Sequence, residues 1–327
     1  MKNARELTYG QSIREALYQE MEKNENIILM GEDICSAGGS HGILTGLFDK
    51  FGPKRVLDTP ISEAGFIGMG VGAAATGLRP VVELFFFDFF GVAGDQIINQ
   101  AAKLRYMFGG KVKVPLTILS PFGGGLSFAA QHSQSFYSLF VHIPGLKVVA
   151  PSTPYDAKGL LTATLRQDDP TFFLEHKYLI NKVKGFVPEE SYIIPLGKAD
   201  IKKEGSDVTI VGIARTTLMA LEAASILEKE KIHAEVVDLR TLSPLDEQTI
   251  LKSVQKTGKL VVVDEDNPRC SMATEISALV ADKAFKYLTS PIKLVTSPHS
   301  PVPFSFVLEE AYLPNTDKIV RAIKEIL

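Results

Sequence analysis

Glu63 stands in the segment Asp58-Thr59-Pro60-Ile61-Ser62-Glu63-Ala64-Gly65-Phe66, at the head of a run of small and apolar residues with helical character. Thr59 reads as the N-cap of that helix and Pro60 as its first residue. Glu63 then lies in the first turn, where the helix dipole alone would stabilise a carboxylate. Its neighbours Ile61, Ala64, Phe66 and Ile67 point instead to burial. A buried carboxyl needs a partner, and the local sequence offers none. His132 follows the glycine run Phe122-Gly123-Gly124-Gly125, within Ala129-Ala130-Gln131-His132-Ser133-Gln134-Ser135. A loop histidine near a strand's carboxyl end is either a proton carrier or an ordinary hydrogen-bonded residue. His41, in the loop after Glu32-Asp33, is a second histidine of this kind. Between Phe85 and Phe90 only Asp88 interrupts the phenylalanines. Most of these rings must be core, but one at a strand's carboxyl end could stack on a planar ligand. Asp88 could cap the next helix.

Other chemistries are missing their residues. Gly68-x-Gly70-x-x-Ala73 has the letters of a dinucleotide fingerprint, but it falls inside a helix, where the backbone amides cannot cradle a pyrophosphate. Close helix packing explains these small residues better. There is no phosphate-binding GxxxxGK[ST] and no GxSxG nucleophile elbow. Cys35 and Cys270 form neither a CxxC nor a disulfide framework, and the six histidines show no metal-ligand spacing. Lys+Arg 35 against Asp+Glu 38 gives a net charge of −3, which argues against a nucleic-acid or membrane-surface partner. Met1 to Leu7 is mostly polar, and Phe66 to Leu78 is too short and glycine-rich to span a bilayer, so a cytoplasmic location is expected.

The elements that must position these residues alternate along the chain. Strands are predicted at Ile27–Met30, Arg55–Asp58, Val81–Phe87, Val114–Leu119, Leu146–Ala150 and Thr171–Leu174. Helices are predicted after Thr8, whose spacing to Gln11 reads as a capping box, from Thr59 to about Gly77, over Gly94–Met107 and over Pro154–Arg166. A second series begins at Val208–Ile213 and continues through helix 217–230, strand 234–238, helix 246–255, strand 260–264, helix 271–285 and strand 292–295. At 327 residues, about two domains are expected. The fold class is therefore α/β, with two domains, each a largely parallel sheet flanked by helices. The boundaries read as a domain at 1–185, a polar linker at 186–206 and a smaller domain at 207–327.

Several long motifs, in order, resemble the beta subunits of thiamine-diphosphate-dependent 2-oxoacid dehydrogenases. They are Gly31-Glu32-Asp33, DTPISEAGF (58–66), GLRPVVE (77–83), DQIINQAAKLRYMFGGK (95–111), AAQHSQS (129–135), PGLKVVAPSTPYDAKGLL (144–161), DEDNPRCSMATEISALVADK (264–283) and PHSPVPFS (298–305). Within that family, RYMFGGK, EHKYL (175–179) and PLGKADIKKEG (195–205) resemble the acetoin dehydrogenase branch most. The stretch from Asp33 to Gly38 is shorter than in many acetoin enzymes, which keeps pyruvate and branched 2-oxoacids as alternative substrates.

The resemblance implies a transketolase-like pyrimidine-binding domain followed by a transketolase-like C-terminal domain. It matches Glu63 to the glutamate that hydrogen-bonds the aminopyrimidine of thiamine diphosphate and favours its imino tautomer. Phe89 matches the aromatic packed on that ring, and Glu32 an acid of the same pocket. His132 matches a histidine assisting proton transfer or reductive acylation of a lipoyl group. A potassium site maps to Leu116, Thr164, Leu165 and Asp169, although Gln167 stands where the family often has an acid. The chain contains no GDG motif and no evident Mg²⁺ ligand set. The resemblance therefore implies that an alpha subunit supplies the diphosphate and Mg²⁺ half, in an α₂β₂ heterotetramer docked on a dihydrolipoyl acyltransferase core with its lipoyl domain. A non-catalytic assembly subunit of such a complex is the competing reading.

Overall fold

A computed structural model describes residues 4–327; Met1, Lys2 and Asn3 of the polar start lie outside the described residues. The chain forms two compact units. The first ends at Phe122 and resumes over Leu139–Leu196; the second comprises Gly123–Ser138 and Gly197–Leu327.

In the first unit, β1 (Ala4–Thr8) leads into the helix Tyr9–Lys23 through the expected Thr8–Gln11 capping box. The sheet contains β2 (Ile27–Gly31), β3 (Val56–Asp58), β4 (Arg79–Glu83), β5 (Thr117–Phe122), β6 (Lys147–Val149) and β7 (Thr171–His176). They lie side by side in the order β6-β7-β5-β4-β2-β3, and every pairing is parallel. β2, β5 and β7 are buried along their whole length, as continuous apolar runs in a sheet covered on both faces require. From the carboxyl end of β2 the chain runs to β3 on one side; from that of β4 it runs to β5 on the other. The crevice between β2 and β4 is thus the switch point where α/β sheets hold ligands.

Some local expectations shift. The helix after β3 runs Glu63–Ala75 with Ser62 as N-cap, not from Thr59. The Thr59 N–H is bonded to the Gly31 carbonyl at 2.9 Å, which keeps the chain out of helical geometry until Ser62. Strand β4 stops at Glu83; Phe87–Ala93 instead forms 3₁₀ turns, with Phe86 rather than Asp88 at the N-cap position. The rings drive this change: Phe87 packs against Phe122, Phe140 and Phe172 with centroids 5.4–6.4 Å apart. The expected helix over 94–107 is a π-helical turn, Gln96–Ala101, followed by an α-helix, Ala102–Met107.

Residues 186–206 contain most of β8 (Lys184–Pro188), antiparallel to β1, and all of β9 (Asp200–Lys203). These edge strands are short and half-polar, so they lack a periodic signature. The second unit's sheet has the order β14-β13-β10-β11-β9, formed by β10 (Val208–Gly212), β11 (Ala234–Asp238), β13 (Leu260–Asp264) and β14 (Lys293–Thr296) together with β9; β12 (Thr241–Ser243) is not a strand of this sheet. Only β9 runs antiparallel in that sheet. Its core joins Val208, Ile210, Val236 and Val261 to Ala220, Ala223 and Leu227 of the helix Arg215–Glu228.

Candidate active site

In the first unit, four buried glutamates gather at the carboxyl end of the sheet. Glu32 follows β2, Glu63 opens the helix after β3, Glu83 ends β4 and Glu175 lies near the end of β7. Gly31 pairs with Glu83 across the β2–β4 crevice. Glu63 is only 8 % exposed, and no donor of the described residues bonds its carboxylate. Glu32 Oε1 is likewise buried without a partner. Burial pushes the Glu32 carboxyl above its ordinary range, and the neighbouring charge of Glu63 adds to this. The expected deep burial of Glu63 is thus present, and no described residue of this chain is the missing partner.

Glu83 was not picked out by the sequence. Burial raises its pKa to about 8, while the Ser40 N–H and hydroxyl, 3.2 and 3.3 Å from Oε1, pull the other way. Its carboxyl lies so close to the Gly39 backbone (φ +79°) that a Cβ there would fall 2.2 Å from Oε2. Glycine at 39 therefore answers both the backbone conformation and the approach of the acid. Burial also lifts Glu175 well above the carboxylate range, with the charge of Glu83 contributing. The only signal for either residue was an acid at the last positions of an otherwise apolar strand, VVE and FFLEH.

The sign of the Glu83 shift has a consequence for stability. Its folded pKa of about 8 exceeds the unfolded value of 4.5, so the folded state binds the extra proton between these limits. Stability must fall as pH rises through that window. Glu83→Gln is expected to remove about 2–4 kcal/mol of this fall. Urea unfolding of both proteins at pH 5 and pH 9 measures it, and equal pH slopes would refute the assignment.

The aromatic run borders the same region. Phe89 is half-buried and stands edge-on to Phe86 at 5.7 Å; Phe86 in turn stands edge-on to His41 at 6.2 Å. The Lys177 ammonium lies 5.2 Å from the Phe86 ring centre. Burial, then the charge of Lys177, lowers the His41 pKa to about 4, which favours the neutral imidazole, with one N–H, over the imidazolium at pH 7.

His132 belongs to the second unit and is half-buried on the loop Gly123–Ser138; its N–H is 3.4 Å from the Ala129 carbonyl. Buried acids hold this loop. Gly124 N–H donates to Glu265 at 2.6 Å, while Gly125 and Ser127 N–H groups donate to Glu309 at 2.8 Å each. Ser138 bonds Asp266 at 2.8 Å, and the Tyr137 hydroxyl bonds Asp264. Burial and the Asp264 charge raise the Asp266 pKa to about 7.

The residues matched to a potassium site are held by the chain's own groups. The Leu116 carbonyl accepts from Thr171 N–H and that of Leu165 from Arg79 Nε, both at 2.9 Å. Thr164 O accepts from Gln167 N–H at 3.4 Å. Asp169 pairs with Lys147 at 2.9 Å and with Arg105. A hydrogen-bonded carbonyl keeps a second lone pair, so of this donor set only the Asp169 carboxylate is committed, to Lys147 and Arg105. Among the described residues, no three His, Cys, Asp or Glu side chains are arranged to hold a metal, and no helix is long and apolar enough to cross a membrane.

A parallel sheet with buried acids at its switch point, followed by a second α/β unit, defines a class. Residues 5–182 match the transketolase pyrimidine-binding domain and residues 197–319 the transketolase C-terminal domain. A solved structure described as a split-gene transketolase, an inactive beta4 tetramer, shares the fold with a TM-score of 0.81, at 23 % identity, over 98 % of this chain and 97 % of that one. Within this class the chain belongs to the family of dehydrogenase beta subunits, whose members are subunits of thiamine-dependent oxidoreductases. It is 54 % identical to the beta subunit of acetoin:2,6-dichlorophenolindophenol oxidoreductase of Bacillus subtilis, over 99 % of this chain and 98 % of that protein. It is 43 % identical to the pyruvate dehydrogenase E1 beta subunit of Rhizobium meliloti, over 98 % of this chain and 70 % of that one.

Proposed function

We propose that this chain is the beta subunit of a thiamine-diphosphate-dependent acetoin dehydrogenase that works only with an alpha subunit and delivers an acetyl group to the lipoamide of a dihydrolipoyl acyltransferase. The observation that carries this reading is Glu63: a buried carboxylate at the ligand crevice, beside a second buried acid, with no donor among the described residues. Such a group is costly unless something else supplies the hydrogen bond. Protonated heterocycles do so, and a pyrimidine ring also fits the half-buried ring of Phe89. The higher identity to the acetoin-linked relative than to the pyruvate-linked one favours acetoin over pyruvate; pyruvate and branched 2-oxoacids are the alternatives.

When bound, thiamine diphosphate supplies a carbon nucleophile for the substrate carbonyl and takes up the electron pair of the broken carbon–carbon bond. The residues of this chain act around it. Glu63 accepts a hydrogen bond from the ring nitrogen and holds that proton in place. Glu32, whose proton affinity is raised by burial and by the charge of Glu63, adds a second polar wall to the pocket. Phe89 orients the ring by packing, and His132 moves a proton at the acyl-transfer step. Mg²⁺ and the diphosphate fall to the alpha subunit. The division into 1–185, linker and 207–327 is kept as the functional division.

The helix behind Glu63 supports the partner. Ile61 is 82 % exposed, and Ala64, Gly65 and Gly72 form an exposed face of small residues, beside the exposed side chain of Met69. Small residues let a second backbone approach closely. The test is co-expression with an alpha chain and assay of acetoin, pyruvate and branched 2-oxoacids with an artificial electron acceptor. Acetoin turnover well above the others is expected. Turnover by this chain alone, or a complex inert toward all three, would overturn the proposal and favour an assembly subunit.

A further inference from the structure

The segment 123–138 is an unlikely loop to hold one conformation unaided. Gly123 (φ +86°), Gly125 (+95°), Ser127 (+58°) and Ala129 (+62°) all occupy left-handed backbone conformations, and two of the four carry a Cβ. Such residues persist only where their surroundings over-determine them. The surroundings here are two carboxylates from distant sequence. Glu309 is 1 % exposed; its Oε1 accepts the Gly125 N–H and its Oε2 the Ser127 N–H, both at 2.8 Å, with the Ser127 hydroxyl at 3.4 Å. Glu265 Oε1 accepts the Gly124 N–H at 2.6 Å and the Ser135 hydroxyl at 3.5 Å. The Gly123 N–H closes the loop on the Gln134 carbonyl at 3.2 Å. His132 lies between the two bonded ends.

We infer that Glu309, seconded by Glu265, is a positioning residue that clamps the backbone of this loop so that His132 is presented in one orientation. The inference rests on the reading of His132 as the proton carrier of acyl transfer. A bidentate carboxylate across two successive turns fixes position more tightly than water could, because both oxygens are already aimed. An apolar core residue at 309 would fill the space but leave three donors unmet.

The test uses the assembled complex with its lipoyl substrate. Glu309→Ala is expected to lower kcat of lipoyl acylation on the order of 10²-fold, as sub-ångström misplacement of a catalytic group does, with KM for the lipoyl domain within twofold. Turnover with an artificial acceptor should stay within about threefold. Hydrogen exchange at amides 125 and 127 should quicken at least tenfold. In a His132→Ala background, Glu309→Ala should cost almost nothing further, because the two changes act on one group. Glu309→Gln, which keeps one oxygen and folds if the alanine variant does not, should fall between.

Unchanged exchange at these amides overturns the clamp. So does an equal kcat loss with and without His132. If His132→Ala alone acylates at the normal rate, the reading of His132 fails and the positioning role fails with it. That outcome is separate from the first two, because it is seen with Glu309 intact.

Discussion

Replacing Glu63 by alanine is expected to lower kcat of the assembled complex by about 10²–10⁴-fold, the range for losing a group that controls proton position in the transition state. Folding should hardly change. The Glu63 carboxylate has no hydrogen bond from the described residues, so its removal strands no donor. Its charge also raises the proton affinity of Glu32. In the variant Glu32 should therefore ionise more readily, and the melting temperature should hold or rise slightly. KM for the substrate should move much less than kcat, because the partner proposed for this carboxylate is the ring nitrogen rather than the substrate. Glu63→Gln should be almost as impaired, since an amide cannot take the full share of a proton. Two results would sink this assignment: turnover near that of the unaltered complex, or a large loss of stability showing that Glu63 is an ordinary structural acid.

The second large effect is on stability. Asp264 ends β13 and is fully buried. One oxygen accepts the Tyr137 hydroxyl and the Asp266 N–H, the latter at 2.9 Å; the other accepts the Ala273 N–H at 2.9 Å, in the first turn of the helix Met272–Lys283. This one carboxyl therefore ties the end of the loop bearing His132 to a strand and a helix of the second unit. Asp264→Ala would leave three buried donors unmet, each costing about 1–3 kcal/mol. With partial relaxation, a loss of about 3–5 kcal/mol is expected, with a fall in Tm on the order of 10 °C. Asp264→Asn keeps one acceptor oxygen and should lose about half as much. Chemical denaturation of the three proteins checks this, and a loss below about 1 kcal/mol for the alanine variant would show that the network is redundant.

These two acids illustrate different degrees of legibility. Glu63 was visible because its apolar neighbours contradicted its charge. Glu63 is 8 % exposed as expected, but of those neighbours only Phe66 and Ile67 are buried, while Ile61 and Ala64 are exposed. Strands Ala234–Asp238 and Leu260–Asp264 were legible to the residue. A parallel strand covered on both faces must be a short apolar run between turns, and nothing else in the chain looks like that. The helix after Asp58 was displaced, since the Thr59–Gly31 hydrogen bond that delays it joins separate segments. The strand ending at Glu83 was over-extended, since phenylalanines that favour strands locally found better partners in Phe122, Phe140 and Phe172.

Sequence by itself determined the alternation of strands and helices and the absence of nucleotide and metal motifs, and it marked Glu63 and His132 as candidates. These follow from periodicity, spacing and short motifs, which act over one or two turns of chain, whereas Phe89 was singled out of its aromatic run only by the family resemblance. Only the tertiary structure decided which strand ends stand together. It assembled Glu32, Glu63, Glu83 and Glu175 from four separate stretches of chain and raised the proton affinity of Glu32, Glu83 and Glu175 by taking them from water. It also decided what holds the histidine loop, because the amides of Gly125 and Ser127 take their acceptor from Glu309, more than 180 residues away. A backbone N–H carries no mark of its acceptor, and dielectric is a property of surroundings, so neither can be written in a local pattern.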